Sequence, residues 1–204
     1  MELKDKKIVC IGDSLTEGDY GIFGKRGIAN VGEKTYPYYL EKLTGAYVKN
    51  FGKCGYTSTT YLKYYKEGNV DVKNADIVII MLGTNGGLDD KADVQGNKDY
   101  EELINLIKAD APSARIFVCT PPHVTENKNF SNCGYSERAD KAVKFVRNFA
   151  KENNIDCIEL AECSLFTADN EPIMQPNDGL HFGEVGYGVM AVYIRDALKN
   201  VKYN

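Results

Sequence analysis

The chain has 204 residues, of which 43% are hydrophobic and 26% charged, and its formal net charge is −4 at pH 7. This length and composition are typical of a globular protein with a full core, so we expect residues 1–204 to form a single domain. The negative net charge argues against a nucleic-acid partner. No apolar run approaches the roughly 20 residues that a membrane helix needs.

The N-terminal segment MELKDKK is charged, and the apolar stretch after it has only about five residues, too few for the core of a signal peptide. We therefore expect a cytoplasmic protein; a secreted chain whose signal peptide had been removed would look the same. A chain of this size does not need disulfide bonds for stability, so we expect its six cysteines to be reduced. Without a Cys-x-x-Cys pair, and with its two histidines 58 positions apart at 123 and 181, it is expected to bind no metal and no other cofactor.

Five short apolar runs, most of them rich in Ile and Val, predict strands. They cover residues 8–11, 47–51, 77–82, 116–119 and 157–160. Helical patterns lie between them. One helix is expected to begin at Thr35 and end before Gly45, and a second to follow a capping box formed by Asp99 and Glu102. Two more are expected around residues 142–150 and 189–198. The alternation predicts an α/β fold in which helices cover both faces of a parallel sheet.

Three long loops follow the first, third and fourth predicted strands. They span residues 18–34, 86–98 and 121–135. The carboxyl ends of parallel strands meet at one edge of a sheet, so these loops should rise over that edge and shape a binding site.

Two distant segments carry the residue types that acyl transfer needs. The first strand runs into Gly12-Asp13-Ser14-Leu15, and the segment NDGLHF places Asp178 three residues before His181. Serine is a weak nucleophile that needs an adjacent base, histidine is that base near neutral pH, and a carboxylate orients the imidazole. Each residue also has an ordinary structural use, since Ser14 could cap a helix and Asp178 a turn.

Acyl transfer also needs hydrogen-bond donors for the oxyanion of the tetrahedral intermediate. The second strand runs into NFGKCG, where Gly55 can offer a backbone amide and Gly52 is a rival only three residues away. The third strand runs into Gly83-Thr84-Asn85, where the side chain of Asn85 can donate or serve as a turn residue. These groups converge with Ser14 if the three strands are neighbours.

These blocks, GDSL at 12–15, Gly55, GTN at 83–85 and DGLH at 178–181, together resemble the SGNH, or GDSL, hydrolases in order and spacing over nearly the whole chain. The resemblance implies a three-layer α/β/α, flavodoxin-like sandwich with a five-stranded parallel sheet in the order 2-1-3-4-5. It also implies Ser14 as nucleophile, His181 as base and Asp178 as its orienting partner. The oxyanion donors would be the Ser14 amide, the Gly55 amide and the Asn85 side chain. Where that family commonly has Asp after the Asn, this chain has Gly86, which raises the question of how the loop after Asn85 is anchored.

Asp13, Tyr56 and His123 are further candidates for substrate binding. His123 follows the fourth predicted strand, but no carboxylate pairs with it locally, so a structural or substrate-contact role is favoured over catalysis. Packing is the default expectation for each tyrosine. Cys54 adjoins Gly55 without a base nearby in sequence and is also expected to pack.

We expect a serine ester hydrolase whose partner is a small-molecule ester, since no long apolar lid helix is visible and the predicted site loops are polar. A short acyl group, with a carbohydrate as one option for the alcohol, fits those loops. Lysophospholipase or thioesterase activity on longer chains is the alternative within the class.

A nucleotide- or phosphate-binding domain is the alternative outside the class of ester hydrolases. However, GDSLTEG is neither GxGxxG nor a P-loop, and such a domain would leave Asp178 and His181 unexplained. The intact Ser, His and Asp set argues against a silent carbohydrate-binding relative.

Overall fold

A computed structural model describes residues 2–22, 34–91, 93–130 and 132–200. Its five strands are β1 (Lys7–Gly12), β2 (Tyr47–Gly52), β3 (Ile77–Met81), β4 (Arg115–Cys119) and β5 (Asp156–Ile158). They form one sheet in the order β2-β1-β3-β4-β5, and every neighbouring pair is parallel. The predicted α/β fold and its strand order are therefore confirmed.

Helices follow or separate the strands. They are α1 (Ser14–Glu17), α2 (Tyr36–Thr44), α3 (Ser58–Lys66), α4 (Gln95–Asp110), α5 (Tyr135–Glu152), α6 (Glu171–Met174) and α7 (Glu184–Asn200), with short 3₁₀ helices at Leu160–Glu162 and Ala168–Asn170. Within the described ranges, none of these helices has both the length and the apolar character needed to span a bilayer.

The three layers arise from the alternation of side chains along each strand. In β1, Ile8 and Cys10 point to one face of the sheet and pack with residues of α2 and α7. Val9 and Ile11 point to the other face, in a cluster that includes residues of α3, α4 and α5. All five residues of β3 are buried, as expected for a central parallel strand covered on both sides.

Helix α2 has the limits that its sequence predicts. The Thr35 hydroxyl accepts a hydrogen bond from the amide of Tyr38, and Gly45 ends the helix with φ at +70°. Glycine favours this left-handed conformation because it has no Cβ, so residue type alone fixes both ends of the helix.

The predicted capping box at Asp99 and Glu102 is wrong. Helix α4 begins at Gln95, four residues before Asp99, so Asp99 is a buried residue inside the helix. Its carboxylate accepts hydrogen bonds from the Thr59 hydroxyl of α3 and from the Gln95 side chain. Side chains of α3 and α4 thus satisfy the Asp99 carboxylate, which a helix cap would instead place on backbone amides. Because α4 begins at Gln95, the loop expected over residues 86–98 is shorter than predicted.

Three helices, α1, α3 and α6, are absent from the sequence-based predictions. Helix α1 is only four residues long, and α3 begins with Thr57 and Thr60 in a reciprocal capping arrangement. Most of the loop expected over residues 18–34 lies outside the described residues, because 23–33 are not described.

The register of the sheet brings the carboxyl ends of three strands level. Gly12, the last residue of β1, lies opposite Gly52 at the end of β2 and opposite Met81 at the end of β3. The segments that carry Ser14, Gly55 and Asn85 therefore leave the same edge of the sheet side by side.

Close packing at this edge depends on two glycines. A Cβ on Gly52 would lie 2.0 Å from the Glu17 backbone nitrogen, and one on Gly12 would lie 2.0 Å from the Thr16 hydroxyl oxygen. Helix α1 thus sits directly against the ends of β1 and β2, closer than any side chain would permit.

We predict that Gly52→Ala lowers the free energy of unfolding by about 1–3 kcal/mol, the usual cost of overpacking. The new Cβ would clash with the backbone of Glu17, which cannot turn aside as a side chain can. Urea unfolding measures the change. The control is Gly188→Ala in α7, where a Cβ meets nothing within 4 Å and where the substitution should stabilise by roughly 0.5–1 kcal/mol. A Gly52→Ala protein as stable as the unsubstituted chain would contradict the proposed contact.

Candidate active site

Ser14 is held at the junction of β1 and α1. The Asp13 carboxylate accepts a hydrogen bond of 3.0 Å from the Leu15 amide and caps the helix. Ser14 is the first residue of that helix and is 3% exposed. The turn fixes both the hydroxyl and the backbone amide of Ser14 at the carboxyl edge of the sheet.

Asp178 and His181 come from the turn that precedes α7. Asp178 Oδ1 accepts hydrogen bonds from the backbone amides of Leu180 (3.0 Å) and His181 (2.8 Å), which fold the segment into a tight loop. Asp178 Oδ2 lies 2.7 Å from His181 Nδ1, and His181 Nε2 lies 2.9 Å from Ser14 Oγ. The fold thus joins the three residues in one continuous chain of hydrogen bonds, although Ser14 and His181 are 167 positions apart.

The surrounding charges favour protonation of His181. Burial by itself lowers the pKa of His181, but the hydrogen bond and negative charge of Asp178, together with the charges of Asp19 and Asp13, outweigh burial and raise the pKa above its ordinary value. For Asp178, burial raises the pKa, and the hydrogen bonds and charge of His181 reverse this, so the pKa lies below its ordinary value. The pair therefore favours an ionised carboxylate beside an imidazole that readily accepts a proton.

Hydrogen-bond donors face the same space as the Ser14 hydroxyl. Gly55 follows β2 with φ at +78°, and its amide has no acceptor among the described residues. The Asn85 side chain donates one hydrogen bond of 3.0 Å to the Tyr56 carbonyl. A carboxamide nitrogen carries two hydrogens, so a second donor remains. Gly52, the rival to Gly55, pairs in β2 and packs against α1 instead.

A cavity of about 900 Å³ contains all of these groups. Its described wall consists of Ser14, Asp19, Gly21, Ile22, Cys54, Gly55, Asn85, Asn132, Tyr135, Asn177, Asp178, Leu180 and His181. The volume lies within the usual range of small-molecule sites. The aliphatic side chains of this wall are Ile22 and Leu180, and most of the others are polar or glycine.

Asp19, Asn132 and Asn177 belong to this wall and were not candidates from the sequence. Asn177 donates a hydrogen bond of 2.8 Å to the Tyr20 carbonyl, and a Cβ on Gly21 would lie 2.4 Å from the Asp178 carboxylate. The segment after α1 therefore packs directly over Asp178. The sequence did contain a signal for two of them, because Asp19 lies in the loop expected over residues 18–34 and Asn132 in the loop expected over 121–135. Both loops were expected to rise over this edge of the sheet.

The three further candidates for substrate binding lie outside the described wall. Asp13 is fully buried beneath Ser14, and the Tyr56 ring makes edge contacts with the rings of Tyr61 and Tyr64. His123 Nε2 lies 2.8 Å from a carboxylate oxygen of Glu171, a residue 48 positions away that is itself only 5% exposed. The carboxylate partner that the local sequence lacks thus comes from α6, and it fixes the ring of His123 outside the wall.

Cys54, expected to pack, instead forms part of the cavity wall. Its Sγ lies 3.6 Å from Asp19 Oδ2, and its amide donates to the Glu17 carboxylate. No disulfide joins any of the six cysteines, all of which lie in the described ranges. The described residues also contain no group of three or more His, Cys, Asp or Glu side chains that could hold a metal ion.

The loop after Asn85 is anchored without a carboxylate at position 86. The Gly86 amide donates to the Gly83 carbonyl at 2.9 Å, and Gly86 and Gly87 both have φ at +88°. Beyond them Leu88 is buried, and Gly96 packs so closely that a Cβ there would lie 1.9 Å from the Gly87 carbonyl oxygen. Two glycines and contacts with the start of α4 therefore fix the bend.

A model of the GDSL-like lipase/acylhydrolase family matches residues 10–189. The chain belongs to this family and is a carboxylic ester hydrolase. It is 24% identical over 187 residues to the isoamyl acetate-hydrolyzing esterase of Schizosaccharomyces pombe, a match that covers 90% of this chain and 71% of that protein.

Solved structures share the fold. A lipase/acylhydrolase from Enterococcus faecalis superimposes with a TM-score of 0.70 at 21% identity, covering 95% of each chain. A carbohydrate acetylesterase family member from Sinorhizobium meliloti gives a TM-score of 0.70 at 21% identity, covering 95% of this chain and 97% of that one.

We predict that the imidazole of His181 titrates in NMR with a midpoint above the ordinary value of about 6.5, and that Asp13→Asn moves this midpoint to lower pH. Removal of the Asp13 charge destabilises the imidazolium, while the Asn oxygen can still accept the Leu15 amide. The chain has two histidines, so His123→Gln assigns the signals. Asp76→Asn, at the opposite edge of the sheet, is the control and should leave the midpoint in place. A midpoint that stays fixed or rises in Asp13→Asn would contradict the electrostatic contribution of Asp13.

Proposed function

We propose that this protein hydrolyses esters of short-chain acids through an acyl-enzyme formed on Ser14. The observation that carries the proposal is the chain of hydrogen bonds from Asp178 through His181 to Ser14, at 2.7 and 2.9 Å, inside a cavity that also contains Gly55 and Asn85. A nucleophile, a base that contacts it and a group that orients the base are the arrangement that activates serine.

In the first half-reaction Ser14 Oγ attacks the carbonyl carbon of the ester and its proton passes to His181 Nε2. The bond from the carbonyl carbon to the alcohol oxygen then breaks, and His181 returns the proton to the departing alcohol. In the second half-reaction His181 takes a proton from water, which attacks the carbonyl carbon of the acyl-enzyme. The bond from that carbon to Ser14 Oγ then breaks, and His181 returns the proton to Oγ, which releases the acid and restores the Ser14 hydroxyl. Asp178 holds the imidazole by Nδ1 and stabilises its charged form throughout.

The carbonyl oxygen gains negative charge in both half-reactions. The backbone amides of Ser14 and Gly55 and the second hydrogen of the Asn85 amide are the donors we assign to it. Such donors lower the barrier because they are fixed before the charge develops, and one is typically worth ~3–4 kcal/mol.

The cavity wall supports a short acyl group. Ile22 and Leu180 are the aliphatic side chains of the described wall, too few to line a channel for a fatty chain. The related S. pombe esterase is named for its action on isoamyl acetate, and the similar S. meliloti structure is a carbohydrate acetylesterase family member. Both names refer to acetyl esters, which agrees with a described wall that has only two aliphatic side chains.

We predict that Ser14→Ala lowers kcat/KM on 4-nitrophenyl acetate by about 10⁴-fold or more without changing the circular dichroism spectrum. The unsubstituted protein should cleave the acetate and butyrate esters faster than the decanoate. Ser113→Ala is the control, since Ser113 is exposed in the turn before β4, at the opposite edge of the sheet. Full activity in Ser14→Ala would remove the nucleophile, and a steady rise in rate to decanoate would indicate a lipase or thioesterase.

We predict that Asn85→Ala lowers kcat by roughly 10²–10³-fold and changes KM much less, because an oxyanion donor acts mainly on charge that develops in the transition state. Pre-steady-state acylation of the enzyme with 4-nitrophenyl acetate isolates the chemical step. An unchanged kcat with a raised KM would instead assign Asn85 to ground-state binding.

A further inference from the structure

Arg138 lies next to the catalytic cavity, beside Tyr135 of its wall and beside Gly86. It stands in the first turn of α5, exposed to solvent, and its guanidinium lies 4.7 Å from the centre of the Tyr135 ring, which forms part of the cavity wall. On its other side the aliphatic stem passes Gly86, where a Cβ would lie 3.4 Å from Arg138 Cδ. Gly86 directly follows Asn85, so Arg138 contacts two separate parts of the rim.

Arg138 has no carboxylate partner among the described residues. The other arginines in those ranges do have one, and they are Arg115 with Asp156, Arg147 with Glu159 and Glu162, and Arg195 with Asp196.

Glu137, the residue before Arg138, and Asp89, three residues after Gly86, both pair with another cation. Lys141, one turn further along α5, pairs with Glu137 at 3.0 Å and with Asp89 at 3.8 Å. The charge of Arg138 is therefore left unneutralised on the side of the helix that borders the cavity.

The carboxylates of the cavity wall do not compete for this cation. Asp178 binds His181, while Asp19 accepts hydrogen bonds from the Gly21 amide and the Cys54 thiol and is only 4% exposed. Both carboxylates are turned into the protein and held there by these contacts.

The glycine at position 86 keeps the guanidinium accessible. A carboxylate at this position would start next to the stem of Arg138 and could neutralise it, whereas a glycine contributes no side chain. The guanidinium lies over the Tyr135 ring, and with no carboxylate partner among the described residues its N–H groups are available to a ligand.

We infer that Arg138, oriented by Tyr135, binds a carboxylate on the ester substrate, so that the enzyme prefers esters with an anionic group a short distance from the scissile bond. This inference rests on the proposed function, because it concerns the same cavity. A planar carboxylate fits the guanidinium edge with two parallel hydrogen bonds, and such charge-assisted bonds are the strong ones.

The test compares two matched pairs of esters. One pair carries the carboxylate on the alcohol side, with 4-acetoxybenzoate against its methyl ester. The other carries it on the acyl side, with 4-nitrophenyl hydrogen adipate against the 4-nitrophenyl methyl diester. The measured quantity is the ratio of kcat/KM for the anionic ester to kcat/KM for its neutral partner, with rates in Ser14→Ala subtracted as background.

We predict that Arg138→Gln lowers this ratio roughly ten- to a hundredfold in at least one pair, the loss expected for hydrogen bonds to a charged group. Arg138→Lys, which keeps the charge but not the paired hydrogen bonds, should retain part of the ratio. Gly86→Asp should lower the ratio relative to Gly86→Asn, because the two side chains have the same shape and impose the same backbone strain at φ +88° but only one neutralises Arg138.

The outcomes separate the two proposals. Ser14-dependent hydrolysis with the same ratio in all Arg138 and Gly86 variants would overturn the anion site and leave the proposed function intact. A loss of kcat/KM in Arg138→Gln that is equal for anionic and neutral esters would assign Arg138 a structural role and would also overturn the site. Failure of the unsubstituted protein to cleave any of the four esters faster than Ser14→Ala would overturn both proposals.

Discussion

The parallel register of β1 with β2 and β3 is the constraint on which the site depends. Hydrogen bonding sets Gly12 opposite Gly52 and Met81, so the segments that leave these strands emerge side by side. Glycines at the ends of β1 and β2 then let α1 lie against both strands, at distances that no side chain permits. Because Ser14 begins that helix, a slip in register or a larger residue at either position would move the Ser14 hydroxyl, the nucleophile we propose, away from Gly55 and Asn85 on the neighbouring segments.

The charges of the site are arranged at two depths. Asp178 and His181 lie in the cavity wall and are joined by a hydrogen bond, and Asp13 lies buried behind Ser14, where burial raises its pKa to about 6. Arg138 lies outside them, at the rim, where solvent reaches it. In the mechanism we propose, the inner charges act on proton transfer, and Arg138 binds a charged group of the substrate outside the wall.

The sequence by itself determined the fold class and the residues of the hydrogen-bonded chain. Strand-forming runs at regular intervals with helical stripes between them allow few arrangements other than a parallel sheet covered on both faces. The positions of Ser14, Gly55 and Asn85 just after three successive strands predict their convergence, because parallel strands end at one edge. The ends of α2 are equally local, since Thr35 and Gly45 each act within one turn of the helix.

Only the tertiary structure decided which polar residues near the site belong to its wall. Asp99 looks like a helix cap in sequence, yet α3 gives it buried partners inside α4. His123 has no acid close to it in the chain, and Glu171, 48 positions later, fixes its ring. Asn132 and Asn177 reach the cavity wall, and Arg138 contacts Tyr135 of that wall, because loops and helices far apart in the chain pack over one edge of the sheet. Hydrogen bonds and ion pairs between distant residues leave no periodic trace in a sequence, whereas strand and helix patterns do.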